Sequence, residues 1–266
     1  MTDAGLNRDE RPISALVLAG RRSGEADPLA SIDNVAHKAL LVAGGKPLIR
    51  RVIEALSLSG RVNAIRIAAP ADVRDAIAAT LSGFDGWSFV EPAGSPASTV
   101  LAAIDELGDD ERLLVTTCDH ALLRAEIVRE FLAAATSCDA AAACVDRRIY
   151  QERFPHSRRT FIRLKDLQFS GANLFCFAGG RANGLADFWR RLEAKRKNPA
   201  SMAHEIGIFT AIAYLSGRMT KAGLERTIER KTRARARLVP LSAAEAAIDV
   251  DKPEDLTLVR EILALE

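Results

Sequence analysis

Short apolar runs alternate with longer amphipathic stretches through the first half of the chain, the rhythm of a parallel sheet covered on both faces by helices. Apolar runs at 13–19, 64–69, 87–91, 113–118 and 140–145 predict strands, and the stretches 47–58, 71–81, 97–107 and 122–135 between them predict helices. Pro47 suits the first turn of the first helix, because its fixed φ is already helical. After Val145 the pattern changes. A polar, arginine-rich stretch (146–159) precedes predicted strands at 160–164 and 173–178 and helices at 185–197 and 202–215. Residues 233–239 alternate arginine with apolar side chains like a half-buried strand, and 253–265 reads as a closing helix. The expected fold class is α/β: a three-layer α/β/α, Rossmann-like architecture around a mostly parallel sheet. Right-handed crossovers would bring the C-terminal ends of the strands to one edge, where open α/β sheets bind ligands. The expected organisation is a flexible N-terminus (1–12) and one domain (13–266), whose second half (146–266) closes over that edge.

Composition narrows the function classes. The 266 residues are 48% hydrophobic, and 37 Lys+Arg oppose 35 Asp+Glu for a net charge of +2. This composition excludes a disordered or fibrous chain, and the near-zero charge excludes a whole-molecule field that attracts nucleic acid. Residues 1–12 lack the apolar core of a secretory signal, and no run reaches the ~20 apolar residues of a membrane span, so a cytoplasmic protein is expected. Cys118, Cys138, Cys144 and Cys176 lack paired metal spacing and read as buried small hydrophobes.

Five segments carry candidate chemistry. Strand one ends in Leu18-Ala19-Gly20-Arg21-Arg22-Ser23, a glycine turn that can aim backbone N–H groups and guanidinium groups at phosphate. Lys38 follows a long loop and can neutralise the same phosphates, although a surface role is the default for a single lysine. The lone His37 receives no role. The loop Pro92-Ala93-Gly94-Ser95-Pro96-Ala97-Ser98 can read a flat base edge through its backbone, or Ser95 or Ser98 caps the next helix. In Thr116-Thr117-Cys118-Asp119, a strand ends in a carboxylate at the ligand edge, suited to Mg²⁺ or to capping the helix after it. In Asp249-Val250-Asp251-Lys252-Pro253, two aspartates at i, i+2 face the same way in extended chain. Asp251 can cap the last helix, which would leave Asp249 as the freer metal ligand.

In this order, Leu18-Ala19-Gly20, Lys38-Ala39-Leu40, Gly45-Lys46-Pro47-Leu48, Pro92-Ala93-Gly94 with Ser98, Thr117-Cys118-Asp119, Ser170-Gly171-Ala172-Asn173 and Asp249 to Leu256 resemble the nucleotidyltransferases of the molybdenum-cofactor cytidylyl- and guanylyltransferase (MobA-like) type. Sugar-nucleotide pyrophosphorylases share that fold, so the resemblance implies a sheet of the nucleotide-diphospho-sugar transferase type. It further implies a nucleotide-binding half (13–145) and an acceptor-binding half (146–266). Leu18, Ala19, Gly20, Arg21, Arg22, Ser23 and Lys38 would hold the phosphates, and Pro92, Gly94 and Ser98 would face the base. Lys38 and Asp119 would be catalytic, Asp119, with Asp249 or Asp251, would hold Mg²⁺, and Gly171 and Asn173 would face the acceptor. Members usually carry a second glycine soon after the first, where Arg21-Arg22 stand here.

The expected activity is Mg²⁺-dependent transfer of a nucleoside monophosphate from an NTP, CTP or GTP favoured, to a phosphorylated small-molecule acceptor with release of pyrophosphate. A catalytically silent nucleotide-binding regulator is the alternative suggested by the altered phosphate loop. Residues 218–237 carry eight basic residues against Glu225 and Glu229, a local charge of +6. They read as a solvated helix face followed by an arginine-blunted edge strand, or, beside the apolar helix, as a surface for a phosphorylated, partly hydrophobic acceptor or for a peripheral membrane contact. Nucleic acid is not expected, since no aromatic residue interleaves the arginines at 233–237 to stack bases.

Overall fold

The computed structural model describes residues 11–21, 29–157, 159–180, 182–195, 201, 204–205 and 207–265. Expectations for residues 1–10, Arg22, Ser23, Met202 and the end of the helix at 185–197 lie outside the described residues.

The apolar runs become β1 (Ile13–Leu18), β4 (Ala64–Ala68), β5 (Trp87–Val90), β6 (Arg112–Thr117) and β7 (Ala140–Asp146). A small ribbon of β2 (Val42–Ala43) and β3 (Lys46–Pro47) precedes α1 (Leu48–Leu58). The other helices of this half are α2 (Ala71–Thr80), α3 (Pro96–Asp105) and α4 (Ala125–Ala135). In β1 the period of two divides the core: Ile13, Ala15 and Val17 face the layer containing α1, α2 and α4, while Leu16 faces α3. Both faces are covered, so the strand reads as an unbroken apolar run.

The second half adds α5 (Arg147–Arg153), β8 (Ile162–Arg163), β9 (Gln168–Ala178), α6 (Asn183–Lys195), α7 (Ile208–Leu215), α8 (Lys221–Thr232), β10 (Ala236–Leu241) and α9 (Pro253–Ala264). The main sheet runs β10-β7-β9-β6-β1-β4-β5, with β8 on β9. β9 is antiparallel to both β6 and β7, whereas β1, β4, β5 and β6 are mutually parallel and β10 is parallel to β7. The sheet is therefore mostly parallel, between layers of helices.

Two departures from the sequence reading have local causes. The strand expected at 173–178 begins five residues earlier, at Gln168, because the hairpin with β8 supplies partners to Phe169 and Gln168 that the apolar pattern does not announce. The polar stretch after Val145 contains α5, started by Asp146, whose carboxylate accepts from Arg148 N at 2.7 Å.

Candidate active site

β1 and β6 run in register to Leu18 and Thr117. Cys118 N then donates to Leu18 O at 3.0 Å, and Ala19 N to Ala68 O at 2.9 Å. The glycine turn and Asp119 thus leave the sheet side by side from rigid strand ends. Val250 N donates to Asp119 O at 3.1 Å, which pins the segment at 249–251 against the same point.

Lys38 opens a short 3-10 turn (Lys38–Leu40) capped by His37, whose Nδ1 accepts from Ala39 N at 3.1 Å. Its ammonium rests against Asp119 Oδ2 and lies 3.5 Å from Asp251 Oδ1. Thr117 Oγ1 donates to the other oxygen of Asp119, a carboxylate only 4% exposed. Burial works against the charge of Lys38, but the Asp119 carboxylate together with Cys118 and Asp251 outweighs it and raises the ammonium pKa above its ordinary value. Lys38 is therefore a cation held between two acids.

A second pair stands beside the first. Arg159 donates to Asp249 Oδ1 at 2.5 Å and, through Nε, to Ser170 Oγ at 2.8 Å, while Asn173 Nδ2 donates to Asp249 Oδ2 at 2.9 Å. Burial pushes the Asp249 carboxyl up, and the Arg159 guanidinium more than reverses that, holding it below its ordinary value. Asn173 reaches Asp249 from a β-bulge. Between the pairs Ala142–Phe175 and Cys144–Gly171, β9 carries Ala172, Asn173 and Leu174 against Ala143 alone.

The capping alternatives resolve on geometry. α4 starts at Ala125 with Arg124 as its cap residue, so Asp119 does not cap it. Asp255 accepts from the backbone N–H groups of Asp251 and Lys252 at 3.2 and 2.9 Å, which leaves the Asp251 side chain facing Lys38. Asp249, the freer acid on sequence grounds, is the one with both oxygens engaged. Ser95 does cap α3, accepting from Ser98 N at 3.1 Å, and Thr99 Oγ1 braces the loop by accepting from Ala93 N at 2.9 Å. Arg21 reaches Asp72 in the first turn of α2. Sequence reasoning passed over Arg159, since one arginine in a basic stretch carries no spacing signal, and it quoted Ser170 only within the Ser170-Gly171-Ala172-Asn173 motif, without a role of its own.

Three glycines of this edge are not demanded by the fold. Among the described residues a Cβ built on Gly20, Gly94 or Gly171 meets nothing within 4 Å, and none of the three has a left-handed φ. Gly44 and Gly180, by contrast, have φ of +55° and +67° and crowded surroundings. At these three positions the fold itself leaves room for a side chain.

The donor set suits a small hard cation. Carboxylate oxygen is the preferred ligand of Mg²⁺, which commonly takes one or two protein carboxylates and fills its shell with water and phosphate. Burial first, and then the nearby Asp249 and Asp119 carboxylates, lift the Asp251 carboxyl above its ordinary value despite Lys38. Among the described residues no three Asp, Glu, His or Cys side chains gather as a complete metal cluster, so the fit is that of a two-carboxylate site.

A mostly parallel α/β/α sheet with these groups on its C-terminal edge is the fold of the nucleotide-diphospho-sugar transferases. A hypothetical transferase from Thermus thermophilus is 27% identical with a TM-score of 0.75, covering 92% of this chain and 99% of its own. A 4-diphosphocytidyl-2C-methyl-D-erythritol synthase from Anaerococcus prevotii shares the fold at 12% identity and a TM-score of 0.60, covering 97% and 98%. A 2-C-methyl-D-erythritol 4-phosphate cytidylyltransferase from Thermus thermophilus does so at 14% and 0.53, covering 95% and 99%. No curated protein matches the sequence. The MobA-like NTP transferase domain matches residues 15–230, and the chain belongs to that family of nucleotidyltransferases.

Proposed function

We propose that the protein moves a nucleoside monophosphate from CTP or GTP to a phosphorylated small-molecule acceptor and releases pyrophosphate. The observation that carries this reading is the Lys38 ammonium held between Asp119 and Asp251 beside the open Gly20 turn. The triphosphate lies along the Gly20 turn with Lys38 against its phosphates, and the base meets the loop at 92–98. The acceptor enters over β9, where Gly171 leaves backbone accessible and Asn173, oriented by Asp249, offers an amide. An acceptor oxygen attacks the α-phosphorus in line as pyrophosphate leaves. Such a step needs positioning and charge stabilisation more than a covalent nucleophile. Lys38 neutralises charge building on the α-phosphate oxygens. Asp119 and Asp251 would hold Mg²⁺, which supplies Lewis-acid stabilisation of the phosphates when bound. A cytoplasmic setting suits these substrates.

The test is pyrophosphate release with each of the four NTPs, with and without Mg²⁺, against a panel of sugar phosphates and phosphorylated alcohols. Release restricted to CTP or GTP, dependent on Mg²⁺ and lost in Lys38→Ala, is the expected result. Tight NTP binding with no release from any acceptor would favour the silent regulator instead.

A further inference from the structure

α7 is an apolar helix with a bare outer face. Its inner side anchors through Ala213, which with Met219 just beyond the helix packs on Cys144, Leu164 and Phe169 below the start of β9. Around the rest of the helix Phe209 is 85% exposed, Leu215 84%, Ile212 55% and Tyr214 42%. A monomeric protein seldom leaves four large apolar side chains of one short helix in water. Beside them α7 and α8 form a groove of about 720 Å³, in which Phe209 faces Arg226 and Arg230. Arg218 and Arg226 have no carboxylate partner among the described residues, and Arg230 reaches only Thr227 Oγ1 at 3.5 Å. Part of the segment's remaining positive charge is neutralised by ion pairs, Arg237 with Glu229 and Arg235 with Asp139.

We propose that α7 and the unpaired arginines around it form a docking surface for an anionic membrane. Bulky apolar residues bordered by arginines match an interfacial element, whose side chains enter the headgroup boundary while the cations meet lipid phosphates. Charge decides against a second copy of the chain. A two-fold interface on this patch would set its unpaired arginines against themselves, whereas the anionic cytoplasmic leaflet offers the opposite sign. α7 is also too short and too close to its anchoring core to span a bilayer, and among the described residues no helix is long and apolar enough to do so. The docked element packs on Phe169 of β9, and the same strand carries Ser170 and Asn173 on to Arg159 and Asp249, so the transferase site and the docked element share one strand.

The experiment is co-sedimentation of the full chain with phosphatidylcholine vesicles and with vesicles carrying about 30% phosphatidylglycerol. Expected is partition onto the anionic vesicles only, falling at least about tenfold as NaCl rises from ~0.05 to ~0.5 M and the screening length shrinks. Two double variants, Phe209→Ser with Leu215→Ser and Arg226→Glu with Arg230→Glu, should each lower the partition about tenfold or more. All four residues are exposed or groove-lining, so the melting temperature and the activity without vesicles should stay at wild-type values. Equal binding to neutral vesicles, no binding, or variants that bind like wild type overturn the proposal. So does a salt-insensitive dimer in analytical ultracentrifugation that Phe209→Ser dissociates.

Discussion

Lys38 shows how far a single residue can be read from sequence and where reading stops. Its family resemblance marks it as a phosphate ligand, but the loop from Gly20 gives no hint that its ammonium ends between Asp119 and Asp251. Asp119→Asn keeps the shape and removes the charge, so turnover should drop by about 10³-fold or more while the circular dichroism spectrum is unchanged. A variant with near wild-type pyrophosphate release would take Asp119 out of the chemistry. Gly20→Ala offers a cleaner separation of binding from folding. Among the described residues a Cβ there meets nothing within 4 Å and its φ is not left-handed, so thermal stability should hold, and KM for the NTP should rise about tenfold as the methyl group keeps phosphate from the backbone. A fall in melting temperature with KM unchanged would make Gly20 a folding residue. The four cysteines are legible from sequence as buried hydrophobes, and all are buried. Burial pushes the Cys144 thiol up to about 12 and that of Cys138 up to about 11. A thiol-specific disulfide reagent at about pH 8 should therefore modify none of the four before unfolding.

At the scale of elements, the turn at Asp33 ahead of Lys38 is tied to α9 by a contact between segments far apart in the sequence. Asp33 accepts from Arg260 on α9 at 2.5 and 2.8 Å and from Val42 N at 3.1 Å, and Arg260 Nε donates to Val42 O at 2.9 Å. The Arg260 guanidinium holds the Asp33 carboxyl below its ordinary value, against a smaller opposing effect of burial. A carboxyl depressed on folding stabilises above the ordinary carboxylate range and loses that contribution as pH falls through its folded value. The pair is partly exposed, so solvent screening limits it to about 1 kcal/mol. Asp33→Asn should lower the melting temperature by roughly 2–4 °C near pH 7, and the gap to wild type should close below about pH 4. A gap that persists in acid would mean that packing rather than charge joins the loop to α9. No spacing rule links residues this far apart, which is why the contact escaped the sequence. The first-half helices did not escape, because α1 and α4 each bury one apolar stripe repeating at helical spacing.

Over the whole molecule, the transferase reading makes the fold a receptor that ligand should stabilise. At a free NTP concentration about 100 times its dissociation constant, the native state gains about 2.7 kcal/mol, which for a chain of this size corresponds to roughly 5–10 °C in melting temperature. Mg²⁺ should enlarge that shift for the favoured nucleotide and leave it unchanged in Asp119→Asn. A shift indifferent to both would place the triphosphate elsewhere. By itself the sequence determined the alternation of strands and helices, the two covered faces of the sheet and the edge to which the strand ends run, because each follows from periods of two and 3.6 within one segment. Only the tertiary structure decided that β9 runs against its neighbours, that its bulge turns Asn173 toward Asp249, that Arg159 belongs beside them, and that Asp251 rather than Asp249 faces Lys38. Those outcomes depend on hydrogen-bond partners contributed by distant segments, and a local pattern of apolar and polar residues carries no record of who those partners are.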